Sequence, residues 1–203
     1  MARYTGPKAK LVRKFGENIF GNPKFDKVLS NKPYGPGQHG AGRKRVSDYG
    51  LQLKEKQKLK IMYGLFERQF RNLFKKAERM RGITGENLLQ LLERRLDNTV
   101  FRLGFANSRA QARQLVLHRH FNVNGKLVNI PSYTLKVGDV ISVKDQSKKM
   151  DVFHNALRIR KSNPYEWVEV EKANLSGKLL KLPERSEIPV NINEQLIVEL
   201  YSK

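Results

Sequence analysis

Apolar residues recur at helical spacing through the middle of the chain. Phe66, Phe70, Leu73, Phe74 and Ala77 stand at i, i+4, i+7, i+8 and i+11, the stripe by which one helix face enters a core. Before it, Ser47 is placed to N-cap a helix running to about Tyr63, which Gly64 can end. After Gly82, Thr84 or Gly85 opens a third helix. Its Leu88, Leu89, Leu92, Leu96, Val100 and Leu103 repeat every three to four residues until Gly104 stops it. A fourth, over residues 108–118, buries Ala112, Leu115 and Val116 and has Asn107 or Ser108 as its cap.

The pattern then becomes alternating. Phe121 and Val123 face one way, Asn124-Gly125 supplies a type I′ hairpin turn, residues 127–130 return, and Pro131 ends the pairing. Val137-Gly138-Asp139 turns into a strand over residues 140–143. Residues 150–159 suggest a short helix or extended connector ending in Arg158, Arg160 and Lys161. Trp167, Val168 and Val170 predict a strand, and Leu179, Leu180 and Leu182 another, with Ser176-Gly177 turning between them. Beyond Pro183 and Pro189 a last helix begins at Asn193. Its stripe of Leu196, Ile197, Leu200 and Tyr201 is expected to return to the helices of residues 47–83. Residues 1–46 carry no sustained period. The expected fold is α+β, with a basic N-terminal arm (1–46), a helical domain (47–91 and 184–203), and an inserted module of two helices packed on a small, mainly antiparallel sheet (92–183).

Charge adds a partner to this picture. Among 203 residues, 40 Lys and Arg face 19 Asp and Glu, leaving +21, far more than solubility requires and self-repelling without a polyanion. Residues 1–82 hold a net +15, residues 83–165 a net +8 and residues 166–203 a net −2. The polyanion is therefore expected on the first two-thirds, with the tail turned to protein or solvent. With no cysteine, disulfides, thiolate metal sites and cysteine nucleophiles are excluded. No signal-peptide core is visible at the start and no window approaches a membrane span, so a soluble, cytosolic protein is expected.

The arm interleaves its cations with Tyr4, Phe15, Phe20, Phe25 and Tyr34. It is expected to be poorly ordered alone and to order on RNA, with cations on phosphates and rings on bases. Its PYGPGQHGAG run, residues 33–42, packs two prolines and four glycines into ten residues, so its backbone can lie close to an irregular surface. Farther on, Arg68, Arg71, Lys75, Arg79 and Arg81 lie mostly off their helix's apolar stripe and face phosphate by the same argument. Arg109 and Arg113, one turn apart with no acid within a turn, can grip neighbouring phosphates.

Two other constellations yield less. Arg95-Leu96-Asp97 matches the core of the motif that carries the catalytic aspartate of pseudouridine synthases. Here Asp97 is expected mid-helix, opposite the leucines, in a surface ion pair with Arg94 or Arg102. His118 and His120 diverge at a helix end and make a poor metal pair. An RNA-modifying enzyme would also need a catalytic domain for which little chain is left. A free-standing RNA chaperone, or repressor of its own message, is the other alternative.

SRAQARQLV, NVNGKLVNIPSY and KVGDVISV together closely resemble the RNA-binding module first described in small-subunit ribosomal protein four. That module also occurs in some pseudouridine synthases, tyrosyl-tRNA synthetases and a heat-shock ribosome-binding protein. PYGPGQHG, YGLQLKEKQ, ERRLDNTVFRLGFA and PERSEIPVNINEQLIVELYSK extend the resemblance to that ribosomal protein family over nearly the whole chain. It implies a structural protein of the small subunit, cytoplasmic and without catalysis or cofactor, that binds rRNA early in assembly and influences decoding accuracy.

The expected RNA contacts are Arg3, Lys8, Lys10, Arg13, Lys14, Gln38, His39, Arg43, Lys44 and Arg45 on the arm, and Lys56, Lys60, Arg68 and Arg71 on the first helices. Arg109, Arg113, His118 and Lys126 are expected from the module. The resemblance implies small-subunit ribosomal protein five as a neighbour, expected against Glu187, Asn193, Leu196, Leu200 and Tyr201, and messenger RNA close by where it enters the subunit. Two departures stand out. Some relatives carry an N-terminal zinc site of cysteines that this chain lacks, and many have glycine where Arg119 separates His118 from His120.

Overall fold

The computed structural model describes residues 4–42, 45–159 and 165–202. They fall into two compact units, residues 4–42 and 45–72 with 191–202, and residues 73–159 with 165–190. The first holds α1 (Lys8–Phe15), α2 (Pro23–Asn31), α3 (Asp48–Met62), the start of α4 (Glu67–Glu78) and α9 (Glu194–Tyr201). Ser47 caps α3 as expected, its hydroxyl accepting from the Gly50 N–H. The chain returns at the end, where α9 packs on α3, and Tyr201 stacks on Phe70 with centroids 6.3 Å apart.

The arm is not the irregular segment its sequence suggests. It forms two short helices and buries Val12, Phe15 and Ile19, while the buried Lys58 of α3 reaches back to Glu17 at 2.8 Å. With helices of eight and nine residues, too few turns repeat for a period to emerge. The first cut between the units lies inside α4 instead of at residue 91, and the second at residue 190 instead of 183. Phe70 belongs to the α3/α9 unit, whereas Asn87 in the second unit donates to the carbonyls of Ala77, Met80 and Arg81.

The second unit contains α5 (Thr84–Glu93), α6 (Leu96–Arg102), α7 (Arg109–Leu117), β1 (Phe121–Val123), β2 (Lys126–Leu127), β3 (Val140–Val143), α8 (Asp151–Ile159), β4 (Val168–Glu171) and β5 (Ser176–Leu179). The strands form one antiparallel sheet in the order β2-β1-β3-β5-β4. Asn124 and Gly125 both take positive φ in the β1–β2 turn, as a type I′ turn requires. The return strand is shorter than the expected 127–130. Ser176 and Gly177 lie within β5, not in a turn, and the glycine serves close packing: a Cβ there would fall 2.5 Å from Leu103 Cδ2. Leu96, Val100, Phe105, Val116, Phe121, Ile141 and Phe153 pack together as the core of this unit.

The helix expected from residue 84 to 104 breaks in two. Arg95 is extended (φ −68°, ψ 137°), and the break is stitched to residues 131–135. Leu96 N–H donates to Tyr133 O at 2.9 Å, Asp97 N–H to Pro131 O at 3.1 Å and Leu135 N–H to Arg94 O at 2.9 Å. The apolar repeat conceals the break, because Leu92 and Leu96 remain four residues apart on both sides of it.

At the end of α7, Arg119 takes φ +63°. His120 N–H donates to Leu115 O and Arg119 N–H to Val116 O, the paired bonds of a Schellman cap. The left-handed cap therefore forms with arginine in the place where the family resemblance leads one to expect glycine. A left-handed non-glycine residue costs about 1–2 kcal/mol, partly offset by glycine's greater chain entropy when unfolded. Arg119→Gly is expected to stabilise the protein by about 0.5–1 kcal/mol in urea unfolding; a loss of stability would contradict this account.

Candidate nucleic-acid interface

The residues expected to meet RNA separate into exposed groups and groups held internally. Lys10, Lys14, Gln38, His39, Arg45, Arg68, Arg71, His118 and Lys126 are exposed. Arg3, Arg43 and Lys44 lie outside the described residues, as do Arg160 and Lys161. Exposed Arg68, Arg71 and Lys75 on α4 and Arg79 just past its end succeed one another at i, i+3, i+7 and i+11, a line of cations along the face opposite Phe70, Phe74 and Ala77.

Lys8 is half-buried, its ammonium 5.3 Å from the centre of the Phe20 ring. Arg13 donates to two backbone carbonyls of the loop at residues 33–42. Lys56 and Lys60 point inward to Glu67, at 2.6 and 2.9 Å. The Tyr201 hydroxyl donates to the same carboxylate at 3.0 Å, and Lys56 lies over the Tyr201 ring.

Glu67 is pushed up by burial, but hydrogen bonds from Lys56, Lys60 and Tyr201, with the Lys60 charge added, outweigh this and hold its pKa at about 2 against an ordinary 4.5. Burial and the Glu67 charge in turn raise the Tyr201 hydroxyl above its ordinary range. Since the folded pKa of Glu67 is depressed, its stabilisation is complete above about pH 4.5 and is lost as the pH falls towards 2. The side chain is 45% exposed, so solvent screening limits the effect to about 1 kcal/mol. Glu67→Gln should be less stable than the wild type at pH 7 by about that amount, with the gap closing in acid; a gap independent of pH would contradict the charge argument.

The tail residues expected to face a neighbouring protein are mostly engaged within the chain. Asn193 caps α9 by accepting from the Gln195 N–H and donates its own N–H to Glu55. Leu196 and Leu200 are half-buried on α9. In the second unit, Glu187 pairs with Lys181 and accepts from the Glu184 N–H. Between α3 and α9, Asp48, Leu51, Gln52, Leu196, Glu199 and Ser202 line a hollow with two carboxylates and no basic side chain.

Around the break between α5 and α6 lies a cluster that sequence reasoning missed. Asp97, expected in a surface pair with Arg94 or Arg102, is 4% exposed. Its carboxylate accepts from Arg95 at 3.1 and 2.7 Å and from Arg113 at 3.2 Å. Glu93 is 3% exposed and accepts from Arg102 at 2.9 and 2.6 Å and from Asn98 at 2.6 Å. Asn98 accepts from Arg109 Nε at 2.8 Å, and the Arg109 guanidinium lies 4.9 Å over the Phe101 ring. Arg109 and Arg113 therefore have an acid and an amide within reach across the fold, although none is near along their helix. One signal was present: Glu93 falls four residues after Leu89 and three before Leu96, on the apolar face of the predicted helix.

Two short helices packed on an antiparallel sheet, together with a line of exposed cations and a large excess of positive charge, define a protein built to hold structured RNA. Residues 3–93 match the family described as ribosomal protein S4/S9 N-terminal domain, and residues 94–141 match the S4 domain. The chain is 62% identical to a protein of Parabacteroides distasonis, 59% to one of Porphyromonas gingivalis and 60% to one of Bacteroides fragilis, covering all of both chains each time. All three are named small ribosomal subunit protein uS4, and the chain belongs to that family.

Proposed function

We propose that this protein is a structural component of the small ribosomal subunit that binds its rRNA directly. The observation that carries the reading is the line of Arg68, Arg71 and Lys75 on α4 and Arg79 just past its end, exposed opposite a buried apolar stripe. Neighbouring cations on such a line stand roughly 5–6 Å apart, close enough to meet successive phosphates of one strand. A-form RNA hides its base edges in a deep groove, so backbone and 2′-hydroxyl contacts dominate. Lys10, Lys14, Arg45, His118 and Lys126 add further contacts, and Arg109 and Arg113 contribute from the edge of the buried cluster, oriented by Asn98 and Asp97.

Within the subunit, early binding to a junction of several RNA helices nucleates assembly. The acid-lined hollow between α3 and α9 suits a basic neighbour, which we take to be small-subunit ribosomal protein five. Decoding accuracy would be tuned through that contact, and messenger RNA would pass near the basic arm. The enzymatic alternative finds no support at Asp97, whose carboxylate is already held by two guanidiniums. The protein is expected to cosediment with small subunits at physiological salt. Recovery wholly in the free fraction would overturn the reading.

A further inference from the structure

The loop at residues 33–42 is a closed shape, and one side chain of α1 holds it. Arg13 donates from Nε to Tyr34 O at 3.0 Å and from Nη2 to Gly35 O at 2.9 Å, and its guanidinium lies 5.0 Å from the centre of the Tyr34 ring. The loop also closes on itself. Gly35 N–H donates to Gly40 O at 3.2 Å and Gly40 N–H to Gly37 O at 3.2 Å. The two strands of the loop approach so closely that a Cβ on Gly40 would fall 1.9 Å from Gly35 O. Gln38 and His39 are exposed at its tip.

We propose that Arg13 is a positioning residue for RNA binding, acting through the loop by presenting Gln38 and His39 in a fixed geometry instead of meeting a phosphate itself. The proposal rests on the reading of the chain as an rRNA-binding protein. Two carbonyls and a ring face are matched by a planar guanidinium with several N–H directions, whereas the ammonium of lysine is a point charge that cannot reproduce the fork. A glycine-rich loop without this clamp samples many backbone states, and RNA would have to order it on binding.

The test uses the full chain and small-subunit rRNA transcribed in vitro, with affinity read across a salt series and folding followed by thermal unfolding. Gln38→Ala with His39→Ala is expected to weaken binding by about tenfold, the loss of one strong hydrogen bond. Arg13→Ala and Arg13→Lys should each weaken it by a similar factor, and combining Arg13→Ala with the tip substitutions should add nothing further. Gly40→Ala, which changes no charge, should do the same. The salt slope should remain that of the wild type in every variant. A directly contacting Arg13 would instead be rescued by lysine, add to the tip variants and lower the slope by about 0.7–0.9 when removed; any of these results overturns the proposal. Wild-type binding by the tip variants, or by Arg13→Lys and Gly40→Ala, would do so too. Failure of the wild type to bind this RNA would overturn the functional reading itself.

Discussion

Glu93→Ala is expected to lower the free energy of unfolding by about 3–5 kcal/mol. The carboxylate serves a guanidinium that is itself buried. Arg102, 4% exposed, donates twice to Glu93 and once to the Tyr165 hydroxyl at 2.8 Å, and lies 4.7 Å from the centre of the Tyr165 ring and 5.9 Å from that of Trp167. Removing Glu93 strands this charge and takes an acceptor from Asn98. The pair as a whole is a different matter, since a buried ion pair gains little over apolar groups of similar volume. Glu93→Leu combined with Arg102→Met should therefore recover most of the loss. Urea unfolding of the two single variants and the double variant decides the point. A double variant as unstable as the sum of the singles would refute the stranded-charge argument. Arg113→Ala should cost much less, about 1 kcal/mol, because Asp97 remains held by Arg95.

Affinity for rRNA is expected to fall by about 10³–10⁵ between 50 and 200 mM salt, if roughly 6–10 phosphates are neutralised. The net charge of +21 supplies the capacity, but Lys56, Lys58 and Lys60 are spent inside the protein on Glu67 and Glu17. The slope should accordingly report the exposed cations. Replacing Arg68, Arg71, Lys75 and Arg79 with glutamine should lower it by about 0.7–0.9 for each phosphate that is no longer neutralised, while Lys60→Gln should leave it unchanged. A slope indifferent to the α4 residues would remove that line from the interface.

The α7 helix, the hairpin with its Asn124-Gly125 turn and the start of α3 at Ser47 were legible in the sequence. Each depends on neighbours a few residues apart, and on residue types whose backbone or side-chain chemistry admits few alternatives. The antiparallel sheet and the apolar stripe of α9 followed from periodicity. The two helices of the arm were not legible, because short helices owe their stability to tertiary packing more than to propensity. Nor was the break at Arg95, which is held by backbone bonds to residues 131–135.

The candidate site divides along the same line. Composition by itself pointed to a polyanion, and the motifs marked which stretch forms the module and, through the family they resemble, RNA as the partner; excess charge and local turn chemistry belong to the chain in any conformation. Which cations stay exposed for such a contact was decided only by the tertiary structure. Lys56, Lys60 and Arg13 look as basic in the sequence as Arg68 or Lys10, yet Glu67 and two loop carbonyls claim them. Asp97 and Arg113 are sixteen residues apart but share a hydrogen bond. A charge is a property of a residue; its availability depends on neighbours that folding brings from elsewhere in the chain.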